Sequence, residues 1–342
     1  MYTLDIKEKE MENIQKEIQI GKAFKRTYFN HKDAGNIFLY SFIACYAVAL
    51  IATLIAMQVV TAQGGDTTKL GDSLALNIVT SALTPLTFLG IFFLYIKTSK
   101  ISLYAAKIKF NLNWKTVLIL ISISFLCIFG LQYIVGGFNI GLSALGYKLT
   151  DFSLPYSNAG WYILNLLLLA VLPAIAEELI FRGIIFNGLR RNVSDAAAIF
   201  LSATLFTLMH SSLEQFIYPF ILGVILAWLV LRTGSVVSSI IVHLCNNALA
   251  ITMKFIEVQT GFDFMPKQTW LFWVLAVVLM AVVFVVLFLI DKFYFKKKSN
   301  LDVEKVKKNS EGRVPNLTMI FGIIVSAIIL IVTAATNFAA TA

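Results

Sequence analysis

Nine stretches of the sequence, roughly 37–60, 74–96, 116–135, 161–181, 196–212, 216–231, 235–256, 270–290 and 317–340, are long, apolar and nearly free of charge. About 20 such residues cross the hydrocarbon core of a bilayer as a helix. Helix is the form they must take there, because lipid offers an open backbone no hydrogen-bond partner. The pattern predicts an all-α polytopic transmembrane helix bundle of about eight or nine spans, the count turning on the short fifth and sixth runs. Composition agrees: 58% of the residues are apolar and 14% charged, against about 25% charged in a soluble domain.

The formal charge of +9 raises the question of a nucleic-acid partner, and the location of the basic residues answers it. With the amino terminus cytoplasmic, 24 of the 28 Lys and Arg residues fall in the tail and in the segments 97–115, 182–195, 232 and 292–313. The other four are Lys69, Lys148, Lys254 and Lys267. This is the positive-inside asymmetry of a membrane protein, so the excess reports topology and no nucleic-acid partner is expected. Nine spans would leave the carboxyl terminus outside. Residues 1–36 contain no apolar core of the signal-peptide kind, so the first span is expected to serve as an uncleaved anchor. Cys45, Cys127 and Cys245 all sit in apolar runs, where cysteine behaves as a small hydrophobe and no disulfide framework is read.

Four segments follow from these patterns: a charged tail (1–36), the first three transmembrane helices (37–155), a core of about four helices (156–256), and carboxyl-terminal helices joined by a lysine-rich linker (257–342). In the tail, Leu4, Met11, Ile14 and Ile18 recur at helical spacing among charges. That fits a helix lying on the inner leaflet as well as it fits a solvated tail. Residues 97–115 read as a loop or surface helix.

The fourth run, WYILNLLLLAVLPAIAEELIFRG, places Glu177, Glu178 and Arg182 where hydrocarbon would otherwise be continuous. Each charge opposes insertion by about 2.5–3.5 kcal/mol at a helix centre, while the eight Leu, Ile and Val of 161–172 return roughly 2–5 kcal/mol together. Glu178 and Arg182 are four apart and can pair on one helix face. Glu177 lies about 100° round the helix and must find its partner elsewhere. A purely structural ion-pair knot is one reading of the three; a functional site is the other, since ionisable residues inside membranes mark such sites. Pro173, one turn earlier, frees a backbone carbonyl and can bend the helix towards a cavity.

Two of the three histidines, His210 and His243, lie in or at the ends of apolar runs. Taking RRNVSD as the turn between the fourth and fifth helices, Glu177 and His210 both stand about 25 Å from it, and so at one level in an antiparallel hairpin. The Thr233-Gly234 turn puts His243 about 14 Å and Asn247 about 20 Å along the seventh helix. Phe206 with His210, and His243 with Asn247, are i, i+4 pairs sharing a face. Asn246 competes with Asn247, and spacing from His243 favours Asn247 as the inward residue. Cys245 has no charged neighbour in sequence to activate its thiol and reads as packing rather than as a nucleophile.

EExxxR, FxxxH and HxxxN, in this order on separate apolar helices, resemble the CAAX prenyl protease and bacteriocin-processing (CPBP, or Abi) family of intramembrane proteases. The resemblance covers about residues 160–255, so the 156–256 segment would be the protease core. It implies that Glu177 and His210 activate the attacking water, that His243 and Asn247 stabilise the oxyanion, and that Glu178, Arg182 and Phe206 support them. The implied substrate is a hydrophobic or lipidated peptide cut within the bilayer. Glu177, His210 and His243 would also make a His2Glu zinc set with one open position, so zinc is a possible cofactor, although no HExxH helix is present. Lysine outnumbers arginine 22 to 6, a composition pointing to a bacterial plasma membrane. Two other functions share these features: a non-proteolytic scaffold or bacteriocin-immunity protein of the same fold, and a proton-coupled transporter relaying protons through its Glu/His cluster. The absence of two inverted halves counts against the transporter.

Overall fold

A computed structural model of the chain describes residues 26–67, 70, 73–150, 154–264, 269–295 and 314–339. Within them lie nine helices and, apart from one isolated bridge between Arg26 and Ile101, no β-structure. They are α1 (His31–Ala62), α2 (Leu74–Ser99), α3 (Trp114–Ala144), α4 (Ala159–Leu189), α5 (Asp195–His210), α6 (Ile217–Thr233), α7 (Val236–Thr260), α8 (Thr269–Ile290) and α9 (Leu317–Ala339). The protein is an all-α polytopic bundle. Seven of the helices are long and apolar enough to cross a membrane; α5 and α6, of 16 and 17 residues, are the shorter pair. These two are the runs on which the span count turned.

Helix starts are set by polar caps. The Asn30 side chain accepts from the backbone of Lys32 and Asp33, and the Asp33 side chain reaches back to the Asn30 N–H, closing a capping box. Asn113, Asn158, Ser194 and Ser235 cap α3, α4, α5 and α7 in the same sense. The α6–α7 turn falls at Thr233-Gly234 as expected, with Gly234 in the left-handed region at φ 69°. The third span is longer than its predicted 116–135, running on to Ala144. Gly136, Gly137 and Gly141 look like a helix end in sequence, yet glycine is common inside membrane helices, and a Cβ at Gly137 would stand 3.0 Å from the Trp273 ring of α8. Between α2 and α3, residues 97–115 hold one short 3-10 turn, Leu103–Ala106. The tail helix considered for 4–26, apart from Arg26, and the linker beyond Phe295 up to Arg313 lie outside the described residues.

The bundle is organised around α4. Phe181, Ile184, Ile185 and Phe186 of α4 are fully buried against α1, α2 and α5. A second apolar cluster joins α3, α6 and α7 through Leu120, Cys127, Leu222, Leu226 and Val242. Helices α8 and α9 pack on the outside, α8 along α3 and α9 along α1.

Candidate active site

The side chains singled out above hang on α4, α5 and α7, and α4 is irregular around them. It carries two π-helical stretches, Leu166–Val171 and Leu179–Phe186, on either side of the segment bearing Pro173, Glu177 and Glu178. An i→i+5 stretch inserts a residue into the turn and is often found at functional sites. The Asn187 amide donates to the carbonyls of Arg182 and Gly183, at 2.9 and 3.2 Å, and so satisfies backbone groups of the second stretch.

Glu178 and Arg182 pair as their spacing predicts, Nη1 to Oε1 at 2.6 Å, both side chains 0% exposed. Arg182 Nη2 also donates to the carbonyl of Gly223 on α6, at 3.1 Å. The helices meet closely there: a Cβ on Gly223 would come 3.2 Å from Ala203 Cα and 3.4 Å from Arg182 Nη2. The guanidinium carbon sits 4.6 Å from the centre of the Phe206 ring, a cation–π contact that strengthens out of water. The same ring meets His210 edge to face at 5.0 Å and His243 at 6.0 Å. Phe206 is thus the wall that α4, α5 and α7 share.

His243 lies between the two glutamates. Its Nδ1 is 3.0 Å from Glu178 Oε1 and its Nε2 is 3.9 Å from Glu177 Oε2. One carboxylate oxygen of Glu178 therefore receives both Arg182 and His243, and Nδ1 carries a proton, since an ionised carboxylate only accepts. Glu177 keeps 17% of its side chain exposed, so the adjacent glutamates differ as their helix angles suggested. His210, the last residue of α5, donates from Nδ1 to the Phe206 carbonyl at 2.9 Å. With Nδ1 donating there, the lone pair of a neutral ring is on Nε2.

Asn247 Nδ2 donates to the Leu169 carbonyl at 3.2 Å. Its side chain lines a cavity of about 280 Å³ with Gln132, Leu169 and Tyr218 among mostly apolar neighbours from α3 and α7. Asn246 is fully buried, and among the described residues neither atom of its amide has a hydrogen-bond partner. Along α4 and α5, Glu177 is twelve residues from Leu189 and His210 fifteen from Asp195, about 18 and 22 Å. His243 and Asn247 stand about 10 and 16 Å into α7. Helix α1 also borders the site, with Cys45 within electrostatic range of Glu177. No sequence pattern marked α1 for that role, because a lone cysteine in an apolar run looks like packing. Cys245 is a half-buried free thiol. The third histidine, His31, faces Asn192 at the far end of α1.

A zinc ion needs three or four such donors at about 2.0–2.2 Å. Among the described residues, no group of three or more His, Cys, Asp or Glu side chains is gathered closely enough to hold a metal. Glu177, His210 and His243 as they stand do not fit the group.

His243 adjoins both glutamates, while His210 is joined to them only through the Phe206 ring and Asn247 lies towards the cavity; all of them fall in one recognisable segment. Residues 159–249 match the Rce1-like family, type II CAAX prenyl endopeptidase. The resemblance read from the motifs therefore holds over that segment, and the Rce1-like match supports a CAAX-type intramembrane protease as the general class. No curated protein and no solved structure matches the chain.

Proposed function

We propose that the chain is an intramembrane endopeptidase that hydrolyses a peptide bond in a hydrophobic or lipidated substrate with water activated by Glu177 and His210. The observation that carries the reading is His243 held between Glu178 and Glu177 inside an Rce1-like segment. Water is a poor nucleophile at neutral pH, so a base must take its proton as its oxygen attacks the peptide carbonyl. Glu177 is the more exposed carboxylate and serves as that base. His210, whose Nε2 lone pair is left by its bond to the Phe206 carbonyl, orients the water. As the carbonyl oxygen becomes an oxyanion, His243, protonated on Nε2 as well as Nδ1 between the two carboxylates, and the amide of Asn247 stabilise it by donating N–H bonds in a water-poor site. The C–N bond then breaks and Glu177 returns the proton to the leaving amine. Glu178 and Arg182 do not touch the substrate; they hold His243 and Phe206 in place.

On this reading residues 156–256 form the protease core, set between an amino-terminal group of three helices and two outer helices. The 24-to-4 distribution of basic residues supports a cytoplasmic amino terminus, and the lysine-rich composition supports a bacterial plasma membrane. Cysteines introduced at 300–310 should resist labelling by an impermeant reagent added outside; labelling there would overturn this orientation. The enzymatic reading is tested by incubating the purified protein with quenched hydrophobic and lipidated peptides, with and without chelator. Cleavage that survives chelation is expected. Loss with chelator would shift the reading to a metal route, and a folded protein that cuts nothing would favour the scaffold or immunity function.

A further inference from the structure

The segment joining α2 to α3 carries charge with no counter-charge of its own. Residues 97–115 hold five lysines, and no Asp or Glu occurs between Asp72 and Asp151. Among the described residues no carboxylate pairs with Lys97, Lys100, Lys109 or Lys115. The ammonium of Lys109 stands 5.4 Å from the centre of the Tyr104 ring, and that of Lys115 5.6 Å from the centre of the Trp114 ring.

A preference for one side of the membrane explains the lysines, but not the large apolar side chains among them. Leu103, Tyr104, Phe110 and Trp114 are all exposed, Phe110 at 83%. Nor does the segment stand off from the bundle. On its inner side Ile101, Ala105 and Ala106 are buried in the same apolar cluster as Phe181 and Ile184 of α4. Ala106 meets α4 at Gly183, where an added Cβ would come 3.5 Å from the Ala106 Cβ. Gly183 is six residues before the end of α4 at Leu189, about 9 Å inside it. Backbone groups hold the segment in place: the Ser102 N–H donates to the Arg26 carbonyl at 3.0 Å, and the carbonyls of Lys107 and Lys109 accept from the Val236 N–H and the Ser235 hydroxyl at the start of α7.

The segment is therefore drawn back along α4 to the level where a spanning helix leaves the hydrocarbon, with one face on protein and the other turned out. Aromatic rings settle at that level because they are apolar at one end and polar at the other. Lysine stems lie along apolar surface while their heads reach for charge. Positive charge without a protein partner, set among exposed rings, is complementary to lipids whose headgroups are negative. We propose that the α2–α3 segment is a binding surface for anionic phospholipids, with Lys97, Lys100, Lys109 and Lys115 facing the headgroups and Phe110 and Trp114 entering the boundary between headgroups and acyl chains. The surface lies outside the three motifs, and its test needs no proteolysis.

The purified full chain in mild detergent is offered phosphatidylglycerol or zwitterionic phosphatidylcholine with the same acyl chains. Bound lipid is counted by native mass spectrometry, and melting temperature is read with each lipid. Wild type should retain phosphatidylglycerol in preference and melt higher with it, since a ligand of the folded state stabilises that state. The preference should fall on the order of fivefold for each of the four lysines changed to Gln, and added salt should weaken it. Phe110→Ser with Trp114→Ser should lower retention of both lipids alike. Without lipid every variant should melt as wild type does, because the altered side chains are exposed. Lys292→Gln, at the same end of the bundle beyond α8, should leave the preference unchanged. Equal retention of the two lipids by wild type would overturn the proposal and leave the lysines to topology or to an acidic protein partner. An equal loss in Lys292→Gln would overturn it by making the preference a matter of total charge. Undiminished retention after both aromatic changes, or variants that melt lower before lipid is added, would overturn it as well.

Discussion

Helices α4 and α8 are both apolar and of membrane-spanning length, yet they solve different problems. Along α8 the large side chains of Trp273, Val277, Phe284 and Phe288 point outward and are exposed, as suits a surface solvated by lipid. Along α4 the residues from Leu179 to Leu189 are buried without interruption, and among them Arg182, with Glu178 just before, carries charge at 0% exposure. A charge on α8 would have only hydrocarbon around it, whereas on α4 it finds partners on α5, α6 and α7. Hydrophobicity brings both helices into the bilayer, but only helix-to-helix contact makes room for polar chemistry there.

The largest expected effect of breaking this contrast is at Glu178. Replacing it with Ala strands Arg182, with Gly223 O as its remaining hydrogen-bond partner, at a cost of roughly 3–5 kcal/mol. Melting temperature in detergent should drop sharply. Glu178→Leu combined with Arg182→Met should recover more stability than either change alone, since no orphaned charge remains. Strict additivity of the two single variants would mean that the pair is not coupled, and Glu178 would return to the list of catalytic candidates. His210→Ala should leave melting temperature nearly unchanged and lower cleavage by about a hundredfold; a stability loss without a rate loss would make His210 a packing residue. The smallest effect is expected on α8, where Val277, 71% exposed, should tolerate change to Leu or Ile within about 0.5 kcal/mol. A large loss there would mean that this face is covered by protein rather than lipid.

Much of this architecture was legible in the sequence, for reasons that differ from residue to residue. Apolar run length located all nine helices, because bilayer thickness fixes how long a span must be. The pairing of Glu178 with Arg182 was legible from i, i+4 spacing, a property of one helix. The bond from His243 to Glu178 was not, since it depends on how α7 is set against α4, and neither was the part played by α1 through Cys45. The π-helical stretches of α4 left no pattern to read, because a one-residue slip in hydrogen bonding changes no residue type.

The account rests on one contrast between neighbours: Glu177 does chemistry and Glu178 holds the site together. Glu177→Gln keeps the shape of the side chain and removes the proton acceptor. Cleavage of a hydrophobic peptide by this variant should fall by at least about a hundredfold, with the melting temperature of the wild type. Near wild-type turnover in a folded Glu177→Gln protein would contradict the account.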